Sequence, residues 1–532
     1  MSESGAADGA RGGGSSIRVA ALLGVFMISL DASIVNIALP TLARDLNASL
    51  SSLQWVVDGY VAAFASLLLI TARFSRAVGA VTAMRIGIAG FTAASVGCAL
   101  APSATALVLA RIMQGVAASL ILPSALTLVT RLATANQLGR ALGAFSAVVG
   151  ASTALGPGAG ALILSNFSWG AIFLVNVPIG VGVLWILRQH GLPGAGYFDR
   201  TGWADGALSV IGLFALCYGL IDVGRHGWGS LRALAIVAAG IAFLGLFGFA
   251  QKQRGAKAVL DTALLRRRSL VVANVATILT FSTMMGVTFL APLVLIELYG
   301  YGLGHAALVM SITSVMILVV APISGRLGEH MLASVGPLGC GIEAVAIWGF
   351  SLLGTHPALI SVELVAAALG VGLGFTLPTL TTWAMSSVAD DRVEDASALF
   401  STARQVGLAL GVAIFGSLAS TEIASQLARV AAHVPGAARL ASVSLAQLER
   451  VGRASALPGP VTEAIWHGLA RTYRLGSALA VIAGLTLATL RQRHLTAGPQ
   501  VQPRKVAPRQ IAVPEPFIES TPGSSTRATQ TP

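Results

Sequence analysis

The sequence predicts an all-α integral membrane protein with about fourteen transmembrane helices. Of its 532 residues, 55% are hydrophobic and only 11% are charged, and the mean hydropathy is +0.79. A soluble domain carries roughly 25% charged residues, so this chain lacks the polar surface that water requires. Apolar runs of roughly 20 residues recur along its length, and each can cross a hydrocarbon core about 30 Å thick.

The predicted spans lie near residues 17–40, 53–72, 82–101, 105–129, 139–163, 171–187, 204–222, 231–250, 270–294, 304–323, 335–353, 360–385, 397–419 and 474–490. The first run is longer than the apolar core of a signal peptide, so we expect it to be retained. Residues 1–16 are rich in Gly, Ser and Ala, and residues 495–532 in Pro, Thr, Ser and Gln. Both segments are predicted to be disordered and cytoplasmic. A long external loop is predicted at 420–473.

Arginine and lysine concentrate in alternate loops, for example at Arg131 and Arg140, and at Lys252, Arg254 and Lys257. Cytoplasmic loops carry an excess of these residues. This set is therefore predicted to be cytoplasmic, and an even number of helices places both termini there. The same rule accounts for the net charge of +12 without nucleic acid as a partner. The expected location is the plasma membrane, where the protein is expected to act as a monomer.

A weak internal repeat divides the chain. The segment Thr71–Arg76 after helix 2 resembles Ser324–Glu329 after helix 10, and aligning Arg73 with Arg326 also aligns helix 1 with helix 9. The sequence therefore predicts two pseudo-symmetric six-helix halves. The halves span 17–187 and 270–490, and they flank two inserted helices at 204–250. Repeated halves around a central site are a transporter design; the alternative is chance similarity of Gly/Arg-rich loops.

Three charged residues lie inside predicted spans of the first half, where a charge costs at least ~2.5–3.5 kcal/mol. Asp31, Asp58 and Arg111 belong to predicted helices 1, 2 and 4. Counted at 1.5 Å per residue, they lie at a similar depth of about 8–13 Å below the outer face. Burial and a nearby cation act in opposite directions on the proton affinity of a carboxylate. We therefore predict that these residues form a proton-coupling group.

Two alternatives remain open for this group. Arg111 can be purely structural, in a static ion pair with one acid, while Asp58 snorkels to the headgroups. The acids also suit a cationic substrate, or they serve protons alone. Three further polar residues are candidates for substrate binding: Asn36, Gln114 and Glu343, the last being the clearest intramembrane acid of the second half.

Helix 5 contains closely spaced small residues around a proline. Gly156 and Gly160 are separated by four residues and share a helix face, which allows another helix to approach closely. Pro157 removes a backbone hydrogen bond and is expected to bend the helix. With Gly150, these residues are candidates for a pivot, and ordinary tight packing is a compatible interpretation.

Other functional signatures are absent from the sequence. There is no GxxxxGK[ST] loop for ATP, no HExxH or GxSxG in a suitable context, and no TVGYG-like channel filter. Cys98, Cys217 and Cys340 lie within apolar runs without a CxxC pair, so they are interpreted as small core residues. We expect neither a metal nor a cofactor, with the proton gradient as the energy source.

Several segments resemble the fourteen-helix drug:proton antiporters of the major facilitator superfamily. They are SLDASIVNIALP at 29–40, QWVVDGY at 54–60, LVLARIMQGVAAS at 107–119, Gly150 to Gly160, and IFLVNVPIG at 172–180. The resemblance covers residues 17 to 490. It implies a major facilitator fold and a proton-driven exporter of drugs, antibiotics or similar amphipathic molecules. By position, Asp31 matches the helix-1 acid, Arg111 the helix-4 arginine and Asp58 a second acid of some multidrug members.

The loop 2–3 motif departs from this family. The pattern G-x-L-x-D-R-x-G-R-R is replaced by Ala72 to Val81, with Arg76 at the Asp position and Gly79 retained. In the family that Asp contributes to a cytoplasmic charge latch, so the latch is predicted to be weakened, rebuilt or absent here. Arg73, Gly79, Arg326 and Glu329 remain the candidate gating residues, since Glu329 holds the Asp position in the second-half copy.

The sequence therefore favours a proton-coupled transporter that exports small amphipathic molecules. One alternative is an exporter or importer dedicated to a single metabolite. A remote alternative is a polytopic membrane enzyme such as a lipid transferase. An enzyme of that kind needs a cluster of His, Asp or Glu near one membrane face, which the sequence does not offer.

Overall fold

The structure is a computed structural model, and it describes residues 3–133, 138–188, 203–254, 267–326, 329–386, 393–431 and 459–497. The contacts discussed lie within the unit Met1–Gln492; a second unit, Arg493–Pro532, is described only over its helical residues 493–497.

Fourteen helices occupy the described ranges. They are α1 Glu3–Asp45, α2 Leu50–Val78, α3 Ala80–Ala99, α4 Ala104–Arg131, α5 Leu138–Asn166, α6 Ala171–Arg188, α7 Trp203–His226, α8 Leu231–Arg254, α9 Arg268–Leu298, α10 Leu303–Arg326, α11 Glu329–Phe350, α12 Leu359–Ser386, α13 Val393–Ala431 and α14 Gly459–Ala497. Helix α6 is interrupted at Val175, and α9 ends in a π-helical turn over Leu293–Leu298. Helices satisfy their backbone groups internally, as lipid requires.

Twelve of these helices are long and apolar enough to cross a membrane by themselves. The other two are α2 and α11, and α11 retains an apolar stretch over Ser334–Phe350. Together they complete the predicted set of fourteen. Short polar caps delimit two of the helices: the Ser49 and Ser103 hydroxyls accept hydrogen bonds from the backbone at the starts of α2 and α4.

The packing confirms the predicted pseudo-symmetric halves. In the first half α1 packs on α5, α2 on α4 and α3 on α4, and in the second half α9 packs on α13, α10 on α12 and α11 on α12. Each pair in the second half is the first-half pair shifted by eight helices. The halves meet along α2 with α13 and along α5 with α10, which are also symmetry equivalents. The inserted helices α7 and α8 pack on each other, and α7 also packs on α2 and α13.

Two predicted boundaries in the first half are corrected by the structure. The helix α1 begins at Glu3, within the segment 1–16 that is predicted to be disordered. The apolar span that follows supplies the helix nucleus, although the glycines of this segment do not themselves favour a helix. The motif Thr71–Arg76 is helical, since α2 continues to Val78 and only Gly79 separates it from α3. Gly79 has a φ of 91°, a backbone conformation that glycine adopts without steric cost.

The predicted external loop 420–473 is also shorter than expected. Helix α13 continues to Ala431 and α14 begins at Gly459. These extensions pack on each other, because Gly468 approaches the backbone of Ile423 and the apolar side chains of Leu427 and Ile465 are buried. Residues 432–458 and 498–532, which hold the rest of the loop and of the predicted tail, lie outside the described residues.

Candidate functional site

An ion pair between Asp31 on α1 and Arg111 on α4 lies at the centre of the first half. Arg111 Nη1 is 2.5 Å from Asp31 Oδ2, and each side chain is 1% exposed. Arg111 Nε also donates to the carbonyl of Val56 on α2 at 3.1 Å. A buried charge is tolerated only when it is paired and hydrogen-bonded, and this pair satisfies both conditions. The predicted meeting of Asp31 and Arg111 therefore occurs.

Three neutral polar side chains complete the network around the carboxylate. Asn176 on α6 donates to Asp31 Oδ1 at 2.7 Å. Gln114 accepts from Arg111 Nη1 at 2.9 Å and donates to Ser95 Oγ on α3 at 2.8 Å. Five helices of the first half thus contribute to one hydrogen-bonded network around Asp31, the candidate proton-binding residue.

Aromatic rings cover the guanidinium of Arg111. Its Cζ atom lies 4.3 Å from the centroid of the Tyr60 ring and 5.9 Å from that of Phe173. A cation over an aromatic face is attracted by the ring quadrupole, more strongly when water is excluded. The rings therefore keep Arg111 in place and exclude competing solvent.

Asp58 does not join this network. Its side chain is fully buried, and neither carboxylate oxygen has a hydrogen-bond partner, so the alternative of snorkelling to the headgroups is wrong. Asp58 lies three residues after Trp55, which stacks on Phe214 of α7, and four after Gln54, which donates to the Val412 carbonyl of α13 at 3.4 Å. Residues at these spacings share a helix face. Asp58 therefore faces the junction of α2 with α7 and α13, away from Arg111.

A central cavity of about 270 Å³ lies between the two halves. Its wall is mainly apolar, with aromatic residues from both halves, including Phe64, Phe281 and Phe350, and methionines from the second half, including Met284 and Met310. Tyr60 and Arg111 of the network also line it. Such a concave, apolar site with a few polar groups is typical of a small-molecule site.

An apolar cluster adjoins the cavity at the end of the bundle predicted to be external. It joins Ile37 of α1 and Ala161 of α5 to Leu295 of α9, Ala307 of α10 and Val362 of α12. Both halves contribute to this cluster, so they are in apolar contact at that end.

The three substrate-binding candidates have different positions. Asn36 lines the cavity, and its Oδ1 atom is buried without a hydrogen-bond partner, which leaves an acceptor for a ligand. Gln114 lies within the Asp31 network instead. Glu343 lies inside the second half, where its Oε1 atom is hydrogen-bonded to the Thr283 hydroxyl of α9 and Oε2 has no partner. Neither Gln114 nor Glu343 belongs to the cavity wall, so a role of either residue in substrate binding stays a prediction.

The small residues of α5 produce the predicted close helix contact. A methyl group at Gly156 would overlap Ser33 of α1, and one at Gly160 would overlap Ile37. The Ser33 hydroxyl donates to the carbonyl of Thr153 at 2.9 Å, and Pro157 lines the cavity. Gly150 faces α10, with Leu318 3.4 Å from its potential Cβ position. The helix α5 therefore touches both α1 and the opposite half.

We expect Gly156→Ala to lower the stability of the protein by about 1–3 kcal/mol, because the added methyl overfills the α1–α5 contact. Gly158→Ala is the matched control, since no atom lies within 4 Å of its potential Cβ position. Thermal unfolding of the purified variants in detergent measures the difference. Equal melting temperatures for the two variants would contradict the close contact.

The candidate gating residues lie at helix ends. Arg73 and Gly79 belong to the end of α2 and its turn, Arg326 ends α10 and Glu329 begins α11. The side chains of Arg73, Arg76, Arg326 and Glu329 lie outside the described residues. The altered charge latch therefore stays a prediction.

Sequence reasoning missed three residues of these sites. Asn176 and Ser95 are short polar residues of a kind common in membrane helices, so only their contacts distinguish them. Arg404 on α13 lines the cavity, and it has a clear signal, because it lies seven residues inside the predicted span 397–419. No group of three or more His, Cys, Asp or Glu side chains suited to a metal occurs in the described ranges.

Comparisons with known proteins agree with this architecture. The sequence model described as "Major Facilitator Superfamily" matches residues 21–412. The chain is 30% identical to the tetracenomycin C resistance and export protein of Streptomyces glaucescens, covering 96% of both chains. It is also 30% identical to the riboflavin transporter RibZ of Clostridioides difficile, covering 74% of this chain and 86% of the relative.

A solved structure supports the same fold. A bacterial homologue of the human lysosomal transporter Spinster superposes with a TM-score of 0.64 and 14% identity, covering 91% of this chain and 98% of that chain. The helix pairing, the family match and this structural similarity lead to one conclusion. The chain belongs to the Major Facilitator Superfamily and is a multi-pass membrane transporter of small molecules, not an enzyme.

Proposed function

We propose that this protein couples the entry of protons to the export of small amphipathic molecules across the plasma membrane. The proposal rests on the contact between the Asp31 network and the central cavity. Arg111 and Tyr60 belong to the Asp31 network and also line the central cavity. A change of charge at Asp31 therefore reaches the cavity wall directly.

Proton binding at Asp31 is the proposed coupling step. A protonated Asp31 no longer compensates the charge of Arg111, so the ion pair weakens and the guanidinium seeks other partners. Helix α1 transmits this change, because it holds Asp31 on one side and lines the cavity with Ile28, Ala32 and Asn36. A ligand shifts an equilibrium between two conformations only when it binds them with different affinity. The proton is proposed to do so because it breaks the Asp31–Arg111 ion pair.

Asp58 remains part of the proposal as a second proton-binding acid. Its separation from Arg111 means that it acts through the α2–α7–α13 junction, where no cation compensates it among the described side chains. The altered latch residues and the α5 glycines are proposed to set how the two halves rock around the cavity. Both termini are proposed to be cytoplasmic, and the monomer to be the functional unit.

The cavity wall supports an amphipathic substrate. Aromatic rings and methionines adapt to apolar molecules of varied shape, and Asn36 and Tyr60 supply polar contacts. Export is supported by the relative whose name describes resistance and export of tetracenomycin C. A second candidate function, transport of a single metabolite, is favoured by the riboflavin transporter, which has the same 30% identity over 74% of this chain.

Transport into proteoliposomes tests the proposal. With an imposed pH gradient, we expect uphill movement of one or more aromatic compounds against the proton flow, with tetracenomycin C and riboflavin among the compounds supplied. Several unrelated substrates support a multidrug exporter, and one substrate alone supports a dedicated transporter. Substrate movement that is indifferent to collapse of the pH gradient by an ionophore would refute proton coupling.

A further inference from the structure

The charge of the central cavity comes from two arginines. Among the described residues, its charged lining side chains are Arg111 and Arg404, and neither Asp31 nor another carboxylate belongs to the wall. Arg111 is compensated by its ion pair with Asp31. The cavity therefore presents one uncompensated positive charge, although the intramembrane acids of the sequence suit a cationic substrate.

Arg404 is held at the cavity by the close packing of α13 on α9. Gly407 and Gly411 lie one and two turns after Arg404, and a methyl at either position would press on α9 near Ile278 and Ser282. The same face of α13 places Arg404 beside Gln405 and Leu408 in the cavity wall. In the described part of the chain, the structure shows no hydrogen bond or ion pair for the Arg404 guanidinium.

A guanidinium stays charged at every physiological pH, and a charge within the membrane is costly unless it is paired. Its planar fork matches a carboxylate with two parallel hydrogen bonds. The apolar cavity around it lacks such a partner. An anionic partner for the Arg404 guanidinium must therefore be part of the ligand.

We propose that Arg404 is a substrate-binding residue that selects amphipathic aromatic molecules carrying an anionic group, such as a carboxylate. The aromatic body packs on the phenylalanines and methionines of the wall, while the anion pairs with Arg404 on the second half. This inference rests on the proposed function only in taking the cavity as the transport site. Binding itself requires no proton gradient.

Equilibrium binding of three matched probes tests the inference. The probes are 1-pyrenebutyrate, its methyl ester and 1-pyrenebutylamine, measured on the full chain in lipid nanodiscs with empty nanodiscs as the correction for partitioning. We expect the acid to bind more tightly than the ester, and the amine more weakly. Arg404→Gln is expected to weaken binding of the acid about tenfold, the loss expected for a hydrogen bond to a charged group, while binding of the ester changes little.

Two further variants make the result specific. Arg404→Lys keeps the charge and is expected to retain part of the preference for the acid. Arg131→Gln removes an exposed arginine in the last turn of α4 and is expected to leave all three affinities unchanged. Unchanged ester binding in Arg404→Gln shows that the cavity is intact.

The inference is overturned if the acid binds no more tightly than its ester, or if Arg404→Gln leaves the preference for the acid unchanged. Transport that is driven by a pH gradient but indifferent to Arg404 would refute the inference and leave the proposed function standing. Binding of the acid through Arg404 without any gradient-driven transport would support the inference and refute the proposed function.

Discussion

Arg111→Gln is expected to lower the free energy of unfolding by about 3–5 kcal/mol, because it leaves a buried carboxylate without its cation. The Asp31 side chain is 1% exposed, so water cannot replace the lost partner. Gln114 and Asn176 supply hydrogen bonds to Asp31, but neutral donors do not compensate a full charge. The loss is therefore expected to exceed that of an ordinary polar substitution.

The double variant Asp31→Asn with Arg111→Gln distinguishes the lost charge pair from lost packing. Removing both charges avoids the unpaired carboxylate, so the double variant is expected to be more stable than Arg111→Gln alone. The interaction energy follows from the double-mutant cycle. Unfolding curves in mixed detergent micelles provide the four free energies.

Arg404→Gln is the matched control for this stability measurement. It also removes an arginine within a span, but one for which the described residues provide no acidic partner. Its stability is therefore expected to stay close to that of the parent protein. If Arg404→Gln and Arg111→Gln are equally destabilising, the special role of the Asp31–Arg111 pair is wrong.

The helices and the central ion pair could be predicted because the membrane imposes strong constraints. Lipid requires long apolar segments, so the runs in the sequence mark α1 to α14 directly. A charge within lipid requires a partner, so Asp31 and Arg111 at similar depth were expected to meet. Both features depend only on the position of a residue along its helix.

The neighbours of each polar residue could not be predicted, because they depend on how each helix is rotated. Asp58 has a similar predicted depth to Asp31, yet it faces α7 and α13. This orientation follows from the contact of Trp55 with Phe214 on the inserted helix, which has no counterpart in the repeat. Glu343 likewise meets Thr283 inside its own half and not the cavity.

Asp31→Asn is expected to abolish uphill transport that is driven by the proton gradient. Asparagine preserves the size of the side chain, but its amide NH2 group cannot accept one of the hydrogen bonds that Asp31 receives from Arg111, Gln114 and Asn176. It also cannot bind and release a proton. Substrate exchange in the absence of a gradient is expected to continue, because the cavity wall does not include Asp31. Proteoliposomes loaded with substrate measure both activities on the same sample.

Asp58→Asn, measured in the same assay, tests whether Asp58 is a second proton site. Asp58 is buried without a hydrogen-bond partner, so the amide removes a buried acid at no cost in pairing, and the variant is expected to fold normally. If Asp58 is a second and independent proton site, its loss lowers the number of protons moved per substrate while uphill transport persists. Uphill transport that survives Asp31→Asn but fails in Asp58→Asn would transfer the coupling role from the Asp31 network to the α2–α7–α13 junction.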